Sequence, residues 1–194
     1  MTGPVQLWWL PVGAGGHLVI HTSRWWELWV ARREHRAPQP LFHAALEVVA
    51  DGRRHVIEMT PVWGQPRAAR GVVATGPVGT RLLGTSRLFR YEIRAWPDGV
   101  LPDRAYAVDS PVDIPLTPEA ARALLASLPR VPVLTWGRTV PGTGDMWNSN
   151  SLIAWLLTTA GIDAAALTPP SGGRAPGWAA GIALAKEAHR FSRP

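Results

Sequence analysis

Hydrophobic and polar positions alternate most cleanly between residues 42 and 60. Phe42, Ala44, Leu46 and Val48 recur at every second position, and Ile57 and Met59 do so beyond Asp51-Gly52. Period-two patterning on both sides of an Asp-Gly pair predicts a β-hairpin with a tight turn. A two-residue turn puts Ala45 opposite Glu58, joins Ile57 and Met59 to the face of Ala44 and Leu46, and points His43 the same way as Glu47 and Glu58. A three-residue turn would bring His55 to that face instead. The first register keeps the apolar residues together and is preferred. Val5 to Val12 predicts another strand, and His17 to His21 one more after the glycines at 13, 15 and 16. Leu88 to Trp96 and Tyr106 to Ile114 complete the strands, with Gly64 to Gly84 a Gly/Pro-rich loop.

Helical periodicity appears in four places. Ser23 is placed to cap a helix through Trp25, Trp26, Leu28, Trp29 and Arg32, ended by the Pro38/Pro40 segment. Thr117-Pro118-Glu119 supplies an N-cap and a first-turn proline for a helix to about Leu128. The strongest helix runs from Asn148 to Thr159, with Gly161 placed to stop it. It is apolar around its whole circumference from Leu152 to Leu157, which predicts burial. Trp178 to His189 predicts a weak closing helix. These elements give an α+β fold with a mostly antiparallel sheet packed on a buried central helix. The expected organisation is one domain over 1–168 and a Pro/Gly-rich tail over 169–194.

With 194 residues, the chain is long enough for one domain with a real core. It is 46% hydrophobic and 18% charged with a mean hydropathy of zero, values of a globular chain. Cysteine is absent, which excludes disulfides, thiolate metal sites and a cysteine nucleophile. The net charge of +6 comes almost wholly from arginine, Lys186 being the single lysine. A basic balance suits nucleic acid or an anionic membrane, but the arginines are scattered and a solvated surface is the simpler reading. No stretch of about 18 apolar residues is present, so no membrane-spanning segment is expected. Residues 1–10 lack the charged start of a secretion signal, and a cytoplasmic location is expected.

The chemistry centres on the start of the buried helix. Asn148-Ser149-Asn150-Ser151 places small polar groups where unpaired backbone N–H groups converge, an arrangement that suits a nucleophile and an oxyanion site. Helix capping alone explains one or two of the four. His43, on its strand, gains Glu58 or His55 as a neighbour able to orient the ring, as a general base requires. Three other signals carry less. His17 and His21 are four apart, but on a strand they would stand about 13 Å from each other. Gly13-Ala14-Gly15-Gly16 lacks the third glycine of a dinucleotide fingerprint. The 11 tryptophans are mostly core, although Trp147 and Trp155 flank the helix start. No metal or cofactor is called for.

In order, Phe42-His43-Ala44-Ala45-Leu46-Glu47-Val48, then His55-Val56-Ile57-Glu58, then Trp147-Asn148-Ser149-Asn150-Ser151-Leu152 resemble the circularly permuted papain-like group. That group includes lecithin retinol acyltransferase-like proteins, permuted cell-wall peptidase relatives and PPPDE isopeptidase-like proteins. The resemblance spans about residues 41–160. It implies His43 as base, Glu58 or His55 as orienter, Asn148 in support, and Ser149 where the group carries a nucleophilic cysteine. A helix N-terminus lowers a thiol pKa usefully but cannot ionise a serine hydroxyl. Ser149 would therefore need His43 to take its proton during attack. Two readings follow: an amide or ester hydrolase or acyltransferase acting through an acyl-serine, or an inactive papain-like domain that binds a peptide or lipid. Nucleic-acid binding is the least expected, and the oligomeric state is open.

Overall fold

The computed structural model describes residues 3–13, 25, 27–62, 71–101, 103–170 and 172–191. Two edge-to-edge hairpins and two flanking strands build one sheet. Strands β1 (Val5–Pro11), β2 (Phe42–Ala50), β3 (Arg53–Pro61), β4 (Val72–Pro77), β5 (Arg90–Pro97) and β6 (Val112–Ile114) lie in the order β4-β5-β3-β2-β1-β6. Every neighbouring pair is antiparallel. The expected hairpin forms with Asp51 and Gly52 both at positive φ, and Leu46 pairs with Ile57, which is the two-residue register.

The sheet's two faces differ. One carries Leu7, Trp9, Ala44, Leu46, Val48, Ile57 and Ile93 in the main core. Against it pack α2 (Pro118–Ser127), α3 (Ser149–Thr159) and α4 (Trp178–Phe191), while a helical stretch over 27–33, α1, follows β1. Thr117 caps α2 as expected, accepting from the Ala120 N–H at 3.2 Å. Residues 149–157 of α3 are all buried, so the helix is held by packing on every side. The other face carries a smaller cluster of Trp8, Leu10, Ala45, Val56 and Leu101.

Three expectations change. Part of the expected 64–84 loop is strand β4, in which Gly76 leaves room for the Tyr91 ring; a Cβ there would lie 2.3 Å from it. The strand expected over Tyr106–Ile114 shrinks to Val112–Ile114, because Tyr106 lies in a 3-10 turn and Pro111 carries no N–H for a ladder. Leu88 and Phe89 fall in a 3-10 turn ahead of β5. The expected closing helix forms over Trp178–Phe191: Ala180 and Ala185 are part of the main core, and Gly181 packs directly on the Ser151 carbonyl of α3. The strand expected at His17–His21 and the cap at Ser23 lie outside the described residues. No helix among the described residues is long and apolar enough to cross a membrane.

Candidate functional site at the start of α3

Asn148 is the N-cap of α3 and completes a capping box. Its Oδ1 accepts from the N–H groups of Asn150 (2.9 Å) and Ser151 (3.3 Å), while Ser151 Oγ accepts from the Asn148 N–H at 3.0 Å. Ser151 Oγ donates to the Met146 carbonyl at 2.8 Å. The Asn148 amide donates to the Pro176 carbonyl at 2.8 Å. Two of the four polar residues are therefore consumed by ending a helix correctly.

Asn150 has a different task. Its Nδ2 donates to the carbonyls of Phe42 (3.0 Å) and Pro176 (2.8 Å), and its Oδ1 accepts from the Ala44 N–H at 2.7 Å. Pairing between β2 and β3 stops at Leu46–Ile57, so the start of β2 diverges from its hairpin partner. The Asn150 amide supplies, from a helix, the backbone bonds that a neighbouring strand would otherwise make. It grips β2 on both sides of His43.

The segment before α4 closes this assembly. Arg174 bonds through its backbone to Pro40 and Phe42, and the Gly177 N–H donates to Asp145 Oδ1 at 2.8 Å. Gly177 holds φ +93°, and a Cβ there would stand 2.3 Å from Asn148 Oδ1. Asn150, Asp145 and Gly177 are the structural residues that motif reasoning did not assign. The Ala-Pro-Gly-Trp run ahead of α4 was the available signal for the last.

Ser149 occupies the first helical position and is buried, 5% exposed. Among the described residues its hydroxyl makes no hydrogen bond, nor does the His43 ring. The expected serine–histidine bond is thus not formed. Strand alternation explains the geometry. Ala44 and Leu46 face α3, so His43 leaves the strand on the side of Ala45 and opposite Leu10, on the face that carries the smaller cluster. Burial pushes the His43 pKa down to about 4, which sets about 3 kcal/mol against the imidazolium that a general base must become.

Neither expected orienter reaches His43. His55 pairs with Val48, five positions along β2 and about 17 Å from His43 at strand spacing. It belongs to the α3 face, with its Nδ1 buried and unpaired. Glu58 does share the His43 face, as the register predicts, but its carboxylate lies 3.5 Å from the buried Arg94, which also holds Glu92 at 2.6 Å. Glu47, also on this face, is 3.5 Å from Arg104, whose guanidinium covers Trp8. Trp147 and Trp155 are core residues; the Trp147 indole donates to Tyr91 Oη, which in turn donates to the Leu134 carbonyl. No group of three metal-ligating side chains is found among the described residues. The chain matches no known protein-family model, and no curated protein or solved structure is significantly similar to it.

Proposed function

We propose that this chain is a non-catalytic binding module on a permuted papain-like scaffold, taking a peptide or acyl chain where β2 and β3 diverge beside Ser149. The permuted papain-like reading rests on element order: a hairpin carrying His43, then a buried helix opened by Asn148-Ser149 and tied back to the same strand. The observation that carries the non-catalytic reading is the isolation of His43, which has neither a bond to Ser149 nor a carboxylate to stabilise its charged form. The rest of the polar quartet serves the fold.

One observation favours acyl-serine chemistry instead. Asn148 satisfies the N–H groups of Asn150 and Ser151, which leaves the Ser149 N–H as a donor beside its own hydroxyl, where an oxyanion would form. Fluorophosphonate labelling with intact-mass detection separates the two. The binding-module reading expects no adduct on wild type. An adduct on Ser149 that disappears in His43→Ala would replace it with the hydrolase or acyltransferase reading. Binding itself is checked by thermal shift with a panel of fatty acids and short peptides. A Ser149→Trp variant, which puts a bulky side chain at the proposed contact, is expected to lose any stabilisation the panel produces.

A further inference from the structure

Two exposed apolar segments leave the sheet from the same end. Pro11 of β1 pairs with Phe42 of β2, and Pro77 of β4 pairs with Arg90 of β5, so the β1–β2 and β4–β5 links both emerge where β3 finishes at Pro61. On the first, Trp25 (72%) just ahead of α1 and Leu28 (40%) and Trp29 (60%) on it are exposed, at the i, i+3, i+4 spacing of one helical stripe. On the second, Leu82 (89%) and Leu88 (65%) project from successive 3-10 turns. Three strand spacings separate the two links, about 14 Å, which places both on one molecular end.

The charge distribution has the same polarity. Arg32, Arg33, Arg81 and Arg87 are exposed at this end and make no ion pair with described residues, with Arg33 lying over the Trp29 ring at 5.5 Å. The acidic groups nearby, Glu27 and Glu34, are already engaged by Arg36 and Arg174. At the opposite end the pattern reverses: Arg53 is paired with Asp98, and Arg122 with Asp51 and Glu119. Exposed unpaired arginines and projecting indole and leucine side chains therefore coincide at this end, whereas at the other the exposed Arg53 and Arg122 are paired, the half-buried Arg54 has no ion pair with described residues, and the exposed apolar side chains are the smaller Val49 and Val100.

We infer that this end of the sheet docks on an anionic lipid surface. Indole rings beside guanidinium groups suit the headgroup layer, and the projecting leucines suit the acyl boundary beneath it. Trp25 and Trp29 could stack on a nucleic-acid base, but Leu82 and Leu88 could not, so the second segment favours lipid. The docking is peripheral, since no described helix can span a bilayer. It does not depend on whether Ser149 is reactive.

The test is co-sedimentation of the full chain with vesicles of phosphatidylcholine alone and of phosphatidylcholine with 30% phosphatidylserine, at low and high salt. Binding is expected with the anionic vesicles and to weaken with salt. Arg81→Gln with Arg87→Gln should lower partitioning about 30-fold, from about 1 kcal/mol per basic residue. Leu82→Ser with Leu88→Ser should also reduce it strongly, whereas Arg53→Gln with Arg122→Gln at the other end should leave it unchanged. Unaltered thermal unfolding of these surface variants verifies that they are folded. Absence of anionic-vesicle binding by wild type would overturn the inference, as would binding that both end variants retain. Oligonucleotide capture or self-association blocked by the same substitutions, without vesicle binding, would overturn it too.

Discussion

Replacing Asn150 by alanine removes an amide whose donors and acceptor are all used inside the protein. The lost bonds run to Phe42, Ala44 and Pro176, at 3.0, 2.7 and 2.8 Å. At about 1 kcal/mol net for each bond, plus about 1–3 kcal/mol for leaving the Ala44 N–H buried and unpaired, the expected destabilisation is about 4–6 kcal/mol. For a chain of this length that lowers the melting temperature by about 8–24 °C. Urea unfolding and calorimetry measure it directly. Asn150→Asp sharpens the test, because the carboxylate still accepts from Ala44 but turns its second oxygen toward two carbonyls. The native state then holds the aspartic proton to a higher pH than the unfolded chain. This variant is accordingly least destabilised in acid and loses stability as pH rises through its native pKa. A loss below about 1 kcal/mol in Asn150→Ala, or a pH-independent Asn150→Asp, would refute the claim that this amide replaces a strand neighbour.

Three further predictions follow from the same region. His43 is depressed to about 4 in the native state and titrates near 6.5 when unfolded, so the unfolded state binds more protons between these values and stability falls as pH drops through that window, by about 3 kcal/mol in all; His43→Gln should flatten this dependence in urea melts, and the ring resonances should titrate near 4 by NMR. Gly177→Ala should cost about 2–4 kcal/mol through its positive φ and the collision with Asn148, and hydrogen exchange at the Asn150 and Ser151 amides should accelerate. Ser149→Ala should change stability by less than about 0.5 kcal/mol because its hydroxyl makes no hydrogen bond with described residues, whereas Ser151→Ala should cost about 1–2 kcal/mol through the capping box.

The hairpin was legible because its information is local: alternation fixes the faces, and Asp51-Gly52 fixes the register. The same alternation contained the position of His43. Once Ala44 and Leu46 are assigned to the buried helix, an adjacent residue on a regular strand must leave by the other side. The cap of α3 was legible for the same reason, since Asn148 and Ser151 act within one turn. Strand β4 was not, because Gly71, Gly76 and Pro77 mask a bulged edge strand whose pairing comes entirely from β5. The work of Asn150 was hidden for a further reason. Its partners are more than 100 residues away in β2 and more than 25 away before α4, distances at which no local pattern reports a contact.

The placement of Gly177 against Asn148 orders the events of synthesis. The β2 strand and the first turn of α3 are made well before Arg174, Pro176 and Gly177, which supply the last bonds to Phe42, Asn148 and Asn150. A nascent chain lacking these residues keeps the polar start of its central helix open to water. The centre of the fold is therefore completed by residues made after both of the elements they join, and a nonsense mutation ahead of residue 174 would leave the helix start unfinished rather than merely shorten an edge.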